Sequence, residues 1–328
     1  MKKLVLIIPI AVLALCSFGG NPYPAKQVQY DGSLDAIGVA PVNGGSPFGL
    51  YTSWSQGRNV SPEVKINAAK ALRVTYIRIP SVSLAKDYPY TVRAGFKVIL
   101  GTTRATLAQD LKLYPSELVT FENEENNPTQ YFGSVEQYSE DLAQAVNKVH
   151  AARMKVTNGG ITQIPAFMCA WANLYPKDPA AADRFAKAFA TTCPKVNIIR
   201  QLQYPAILKN QEYLKGATLI ATYKRLPLDY VNFHYYAYSP AGAPAMGVII
   251  DYLRSATGKD VITNEFGQRD NDPETVKALM QVVKDKKLKC AIWFNSDSFN
   301  RYAHGLMDIN GSLRKNGNAF GDFVKKNF

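Results

Sequence analysis

Histidine, cysteine and tryptophan are all scarce in this chain, at three, four and three among 328 residues. No CxxC pair occurs, and His150, His234 and His304 are scattered too widely to suggest a ligand cluster. Zinc and dithiol redox chemistry are therefore disfavoured, and neither a metal nor an organic cofactor is expected. Long apolar runs are missing as well, apart from one at the start. There Lys2 and Lys3 precede an apolar stretch from Leu4 to Leu15, too short to span a bilayer and shaped like a signal peptide over residues 1–20. Internal repeats, low-complexity linkers and a second-domain boundary are also absent, which leaves a polar segment at 21–35 and one domain over 36–328.

The signal segment points to export, to the periplasm, the exterior or a lipid-anchored place at the cell surface. Two cleavage sites compete: Leu13-Ala14-Leu15-Cys16 has the form of a lipoprotein signal except that Leu15 is not small, while Ser17 and Gly19 offer an ordinary small-x-small site. A retained apolar anchor is the third reading. Membrane contact is expected through this N-terminus alone. Export leaves Cys169, Cys193 and Cys290, an odd number; a Cys169–Cys193 bridge and two buried thiols are alternatives that spacing does not separate.

The formal charge of +12 falls by two, to +10, once Lys2 and Lys3 are removed. A basic surface suits an anionic glycan, a nucleic acid or an acidic cell surface. Here the basic residues are dispersed, and the densest group, Lys284, Lys286, Lys287 and Lys289, reads as the solvated end of a helix. Nucleic acid is not an expected partner, and a monomer is expected.

Apolar strand-like runs alternate with longer helix-like ones through most of the chain. Eight candidate strands emerge: Phe48–Ser53, Tyr76–Pro80, Lys97–Gly101, Leu118–Glu122, Lys155–Gly159, Tyr230–Tyr235, Val261–Asn264 and Ala291–Phe294. That number and alternation predict an α/β fold, a single (β/α)8 TIM barrel. Ser61-Pro62-Glu63 opens a helix with a cap and an early proline, with Val64, Ala68, Ala71 and Leu72 as its apolar face. Ser134–Ala152 and Pro273–Lys286 read alike. The stretch from Thr162 to Leu228, following the fifth strand, is longer than one unit requires and is expected to be an elaborated loop with helices that carries substrate selectivity.

A barrel of this kind places its site at the C-terminal strand ends. Arg78 ends the second strand, Asn123 and Glu124 the fourth, His234 and Tyr236 the sixth, Glu265 the seventh and Trp293 the eighth. The two glutamates each follow an asparagine, in VTFENEENN and VITNEFG. Facing carboxylates are what glycosidic cleavage requires, one to protonate the leaving oxygen and one to attack or stabilise the sugar carbon.

In order and strand placement these residues resemble the retaining glycoside hydrolases of clan A, particularly the cellulase-like family 5 and its relatives. The resemblance spans about Phe48 to Ser298. It implies that Glu124 is the acid/base and Glu265 the nucleophile, with Arg78, His234, Tyr236 and Trp293 at family-like positions. The pattern departs where the family often has proline after the acid/base, because Glu125 stands there; Glu122 and Glu125 are rivals for the acid role. Asn123 is expected to hold a sugar hydroxyl, and Trp293, Trp171 and Trp54 to offer ring faces to sugar. Tyr235 and Tyr238 are either platforms or packing. The expected partner is a poly- or oligosaccharide; the alternatives are a non-catalytic glycan-binding barrel and a transglycosylase using the same glutamates.

Overall fold

The computed structural model describes residues 45–51, 61–193, 197–294, 305–308 and 310–328. The signal and polar segments, Trp54 and His304 lie outside the described residues. Strands and helices follow in the order β1 (Phe48–Tyr51), α1 (Pro62–Ala71), β2 (Tyr76–Pro80), α2 (Leu84–Arg93), β3 (Lys97–Thr102), α3 (Leu107–Leu113), β4 (Leu118–Phe121) and α4 (Val135–Ala151). The second half continues with β5 (Lys155–Asn158), α5 (Gln163–Leu174), α6 (Pro179–Ala190), α7 (Gln211–Arg225), β6 (Val231–Ala237), α8 (Ala243–Thr257), β7 (Val261–Gln268), α9 (Pro273–Asp285), β8 (Ala291–Trp293) and α10 (Lys315–Asn327).

The strands pair in parallel in the order β5-β4-β3-β2-β1-β8-β7-β6. Two isolated parallel bridges, Thr157 to Tyr230 and Ile161 to Phe233, bring β5 against β6 and close the ring into the expected (β/α)8 barrel. All eight expected strands form. The largest difference in extent is β7, which runs on through Glu265 to Gln268 instead of stopping at Asn264.

The helix signals acted locally. Ser61 caps α1 by accepting from the Val64 amide at 3.4 Å, and Ser134 caps α4 by accepting from Gln137 at 3.1 Å. One face was misplaced: Ala71 is exposed, while Ile66, Ala68 and Ala69 are buried. The stripe turns because Lys65 is itself buried, ion-paired with Asp87 at 2.6 Å. The stretch after β5 is built of α5, α6, α7 and short 3-10 turns. Pro165 to Ala172 of α5 are buried without interruption, as expected of a helix apolar on every side. Trp171 lies in that run, packed on Tyr175 at 4.7 Å, so it is core and not a sugar platform. Cys169, Cys193 and Cys290 are buried thiols with no bridge between them, and burial pushes the Cys169 thiol up to about 12.

Strand alternation divides the barrel into two apolar regions. Outward residues meet the helices in the main core, while Ile99, Leu118, Ile262, Cys290 and Ile292 form a separate lumen floor beside Tyr51, Tyr76 and Tyr230. One or more steps above that floor, the inward positions turn polar: Arg78, Thr120, Asn232, His234, Asn264. The seam between β5 and β6 is closed largely by amides. Asn158 Oδ1 accepts from the Asn232 amide at 2.7 Å, Asn158 Nδ2 donates to the Asn232 carbonyl at 2.8 Å, and Asn232 Nδ2 donates to the Asn158 carbonyl at 3.2 Å. Asn232 Oδ1 also accepts from the Asn264 amide at 2.8 Å. Asn232→Leu should orphan that amide and the Asn158 carbonyl at fully buried positions, costing about 2–5 kcal/mol. Urea unfolding would register this as a lower midpoint at unchanged slope; an unchanged midpoint would mean the seam does not depend on these amides.

Candidate active site

A bulge in β7 creates the site. Asn232 aligns with Ile262 and His234 with Glu265 across β6 and β7, and Thr263 aligns with Ala291 and Phe266 with Trp293 across β7 and β8, so β7 carries an extra residue on both sides. Two neighbours in an unbroken strand point to opposite faces. The bulge turns both Asn264 and Glu265 into the lumen, where each bonds to other inward side chains.

Glu265 is the most heavily partnered carboxylate of the site. Arg78 Nη1 donates to Oε2 at 3.0 Å, and the Tyr236 hydroxyl donates to Oε1 in a short bond. Arg78 is itself fixed, donating to the Asn264 carbonyl at 3.2 Å and to Asn123 Oδ1 at 2.9 Å, while its guanidinium lies 4.9 Å from the Tyr51 ring centre. Burial alone would raise the Glu265 pKa. The charges of His234 and Arg78, with the hydrogen bonds from Tyr236 and Arg78, outweigh it and hold the carboxyl below the ordinary glutamate range.

Glu124 sits three residues beyond β4 and faces the same space from the other side. Its Oε2 accepts from Asn127 Nδ2 at 2.8 Å and its Oε1 lies 3.1 Å from His234 Nδ1. The opposite ring nitrogen, Nε2, lies 2.8 Å from Asn264 Oδ1, and Asn264 Nδ2 donates to Thr120 at 3.3 Å. In this orientation of the Asn264 amide, Nε2 donates to Oδ1 and Nδ1 faces the Glu124 carboxyl. Burial would lower the His234 pKa, yet the carboxylates of Glu265 and Glu124 raise it overall.

The loop that bears Glu124 is held in a costly shape. Glu122 and Glu124 have φ of 62° and 44°, in the left-handed region. Arg73, Arg153 and Lys287 share that region, but each follows the cap of a helix, where it is ordinary; the two glutamates have no such reason. Each costs about 1–3 kcal/mol and needs surrounding bonds to persist. Opposite them, Gly159 and Gly160 follow β5. A Cβ on Gly160 would stand 2.1 Å from His234 Nε2, and one on Gly159 only 3.0 Å from the Asn123 amide nitrogen, so bare backbone here admits both the histidine and the loop.

The structure thus brings together Arg78, Asn123, Glu124, His234, Tyr236 and Glu265. It does not bring Trp293 to them. Strand alternation puts Ile292 inward on the lumen floor, so Trp293 points outward, fully buried against Phe266 at 5.0 Å and Phe320 at 5.7 Å. Phe294, the next residue, takes the inward place, 5.2 Å from Tyr51 and 6.1 Å from Tyr236. Trp54 lies outside the described residues. Tyr235 faces outward into the core and donates to the Gly242 carbonyl at 2.6 Å; Tyr238 is partly exposed. Neither rival acid faces Glu265: Glu122 Oε1 accepts from the Arg104 amide at 2.6 Å, and Glu125 is buried towards α7, bonded to Tyr223. Asn123 is committed to Arg78 and, at 3.4 Å, to Gln130. Asn264, Asn127, Tyr51 and Phe294 were missed as site residues, although Asn264 stands beside Glu265 in the motif.

Glu124, His234 and Glu265 offer ligand atoms within 4.8 Å of one another. The donor set does not suit a resident cation: both Glu265 oxygens already accept hydrogens, and the Arg78 guanidinium sits 3.0 Å away with its own positive charge.

No family model matches the sequence, and no curated protein sequence matches it. Solved structures do. A GH128 subgroup II endo-β-1,3-glucanase from Sorangium cellulosum is similar at 14% identity and a TM-score of 0.56, over 84% of this chain and 98% of that one. A subgroup I endo-β-1,3-glucanase from Amycolatopsis mediterranei, in complex with laminaritriose, is similar at 11% and 0.54, over 85% and 100%. A subgroup IV endo-β-1,3-glucanase from Lentinula edodes is similar at 14% and 0.52, over 84% and 98%. At such identities the likeness establishes the barrel fold. These neighbours are GH128 enzymes, so the expected link to the cellulase-like family 5 is not what they supply.

Removing Arg78 tests the electrostatics directly. Arg78→Met leaves a buried carboxylate without its cation and should cost about 3–5 kcal/mol near neutral pH. Glu265, depressed in the wild type, contributes stability above the ordinary carboxylate range that is lost as pH falls through its folded pKa, so the deficit of the variant should shrink in acid. Urea unfolding from pH 7 downward checks this; a deficit independent of pH would assign Arg78 a packing role only.

Proposed function

We propose that this protein is a retaining glycosidase acting on β-1,3-glucan, with Glu265 as nucleophile and Glu124 as acid/base. The observation that carries the reading is the facing pair of carboxyls in unequal surroundings. Their oxygens lie within 4.8 Å, which suits the roughly 5–5.5 Å of retaining enzymes and is well short of the roughly 6.5–9.5 Å that inverting enzymes need for a water. Glu265 is held charged by Arg78 and Tyr236, as a nucleophile must be. Glu124 Oε1 lies 3.1 Å from His234 Nδ1, a contact along which a proton can pass, as an acid/base requires.

In the first step Glu265 bonds to the anomeric carbon while the glycosidic oxygen departs with the proton from Glu124. The carboxylate left on Glu124 then takes a proton from water, whose oxygen displaces Glu265 and restores the starting configuration. Arg78 and Tyr236 stabilise Glu265 again as its charge returns. Phe294 and Tyr51 present ring faces beside the site, and Phe132, 93% exposed on the loop that carries Glu124, presents another further out. The choice of β-1,3-glucan rests on the activities of the similar solved structures, and the clan A reading on the order of motifs along the strands. Action outside the cytoplasm rests on the N-terminal signal segment.

Purified protein assayed against laminarin, carboxymethylcellulose, mannan and xylan should act on laminarin, and proton NMR of the first product should record the β anomer. Glu265→Gln should lose turnover on laminarin and on 2,4-dinitrophenyl β-laminaribioside alike. Glu124→Gln should lose about 10²–10⁴ in kcat/KM on laminarin, whose leaving group needs a proton, and far less on the activated glycoside. Added azide should yield the β-glycosyl azide from Glu124→Gln. An inverted azide there, with the retained one from Glu265→Gln, would exchange the roles; full activity in both variants would remove the pair from the chemistry. Transglycosylation would appear as products longer than the substrate.

The pH profile of kcat/KM follows from the same groups. Activity needs Glu265 ionised, and its depressed pKa should carry the acid limb below the ordinary value of 4.5. It also needs a proton on the Glu124–His234 pair, and the raised histidine should carry the alkaline limb above 6.5. His234→Asn removes a charge that also depresses Glu265, so it should move the alkaline limb and raise the acid limb as well, narrowing the profile. Movement of the acid limb alone would break the assignment of the shared proton.

A further inference from the structure

Glu125 is the buried carboxyl that the proposed chemistry leaves unused. It lies one residue beyond the acid/base, is 2% exposed, and turns away from the lumen into the wall between β5, α4 and α7. Its Oε1 accepts from Asn158 Nδ2 at 2.8 Å and from the Tyr223 hydroxyl. Its Oε2 is buried with no hydrogen-bond partner among the described residues, and a Cβ on Gly159 would stand 2.9 Å from that oxygen. The groups around it are Asn158 of β5, Tyr138 of α4, Tyr223 of α7 and His234 of β6, with Glu122 further along its own loop. Among the described residues no arginine or lysine pairs with it. A bare charged oxygen enclosed in this way is unfavourable, whereas a neutral carboxyl keeps both bonds to Oε1 and carries its proton on Oε2. Burial pushes the pKa of Glu125 upward, in the same direction.

Resting on the glycosidase reading, we propose that Glu125 is a positioning residue: as a neutral acid it ties the left-handed Glu122–Glu124 turn to β5 and α7 and so aims the acid/base at the leaving oxygen. Three further ties support the same turn. Glu122 accepts from Arg104, Asn126 exchanges two bonds with Thr162 at 2.8 and 2.9 Å, and the Asn127 amide donates to the Glu124 carbonyl at 2.7 Å. Of these anchors, Glu125 alone reaches the amide seam that closes the barrel, through Asn158. It therefore links the register of β5 and β6, on which His234 rides, to the register of Glu124.

The test compares Glu125→Ala with Glu125→Gln, the latter a neutral near-isostere that keeps an acceptor for Asn158 and Tyr223. For Glu125→Ala we expect kcat/KM to fall about tenfold or more on laminarin and less than about threefold on 2,4-dinitrophenyl β-laminaribioside, because only the first depends on an aimed acid. Amide hydrogen exchange across residues 122–127 should accelerate. Glu125→Gln should restore both the rates and the protection. A merely structural role would lower both substrates equally through loss of folded protein, and that outcome overturns the proposal. So does Glu125→Gln as impaired as Glu125→Ala, which would mean the charge is needed. If the wild type hydrolyses neither substrate, the glycosidase reading falls, and exchange decides the remainder: faster exchange in Glu125→Ala that Glu125→Gln reverses keeps Glu125 as the holder of the turn, and unchanged exchange removes it.

Discussion

A carboxylate that stays charged inside a barrel mouth is the constraint from which the rest of this site follows. Glu265 is removed from most of its water, and its ionised form survives only because Arg78, Tyr236 and His234 replace that water with fixed charge and hydrogens. Each compensating group then requires its own support. Arg78 is held by Asn123, the Asn264 carbonyl and the Tyr51 ring; His234 is held by Asn264 and Glu124. The network converges on one extra residue in β7, without which Glu265 would face outward and none of these partners would have a purpose.

The two carboxyls differ in how they are placed as much as in what surrounds them. Glu265 rides on a paired strand whose ladder fixes it. Glu124 rides on a turn with two left-handed residues, a shape the backbone does not favour by itself. A site of this kind must draw its precision from side-chain anchors and from the backbone room at Gly159 and Gly160. The polar seam between β5 and β6 takes part in both, since Asn158 bonds to Glu125 while Asn232 bonds to the bulge. Closing the barrel and aiming the site are therefore one set of hydrogen bonds.

Burial and pKa perturbation by themselves would select a different carboxyl from the one proposed as the acid. Glu125 is more buried than Glu124 and is raised by desolvation, but it is bonded to Tyr223 and Asn158 in the wall and does not face Glu265. The proposed role of Glu124 rests on geometry: a histidine nitrogen at 3.1 Å and a facing carboxyl within 4.8 Å. A buried carboxyl with no cation beside it favours the neutral acid. Whether that acid transfers a proton or holds a backbone depends on what lies beyond its oxygens.

Sequence alone determined the barrel, because eight apolar runs separated by helical periods admit few other closures, and local caps such as Ser61 and Ser134 act within a few residues. It also singled out Arg78, Glu124, His234, Tyr236 and Glu265, since a charged or polar residue late in an apolar run is visible without coordinates. Tertiary structure decided which face each residue takes. Phe294 takes the inward place expected of Trp293 because the register to the lumen floor sets the parity of β8, and one residue of slip reverses a side chain. Trp171 went to the core because α5 is covered on every side by its neighbours, and composition does not reveal what a helix packs against. The β7 bulge, the left-handed turn and the Asn158–Asn232 seam arise from pairing between segments far apart in the chain, so no local pattern announces them.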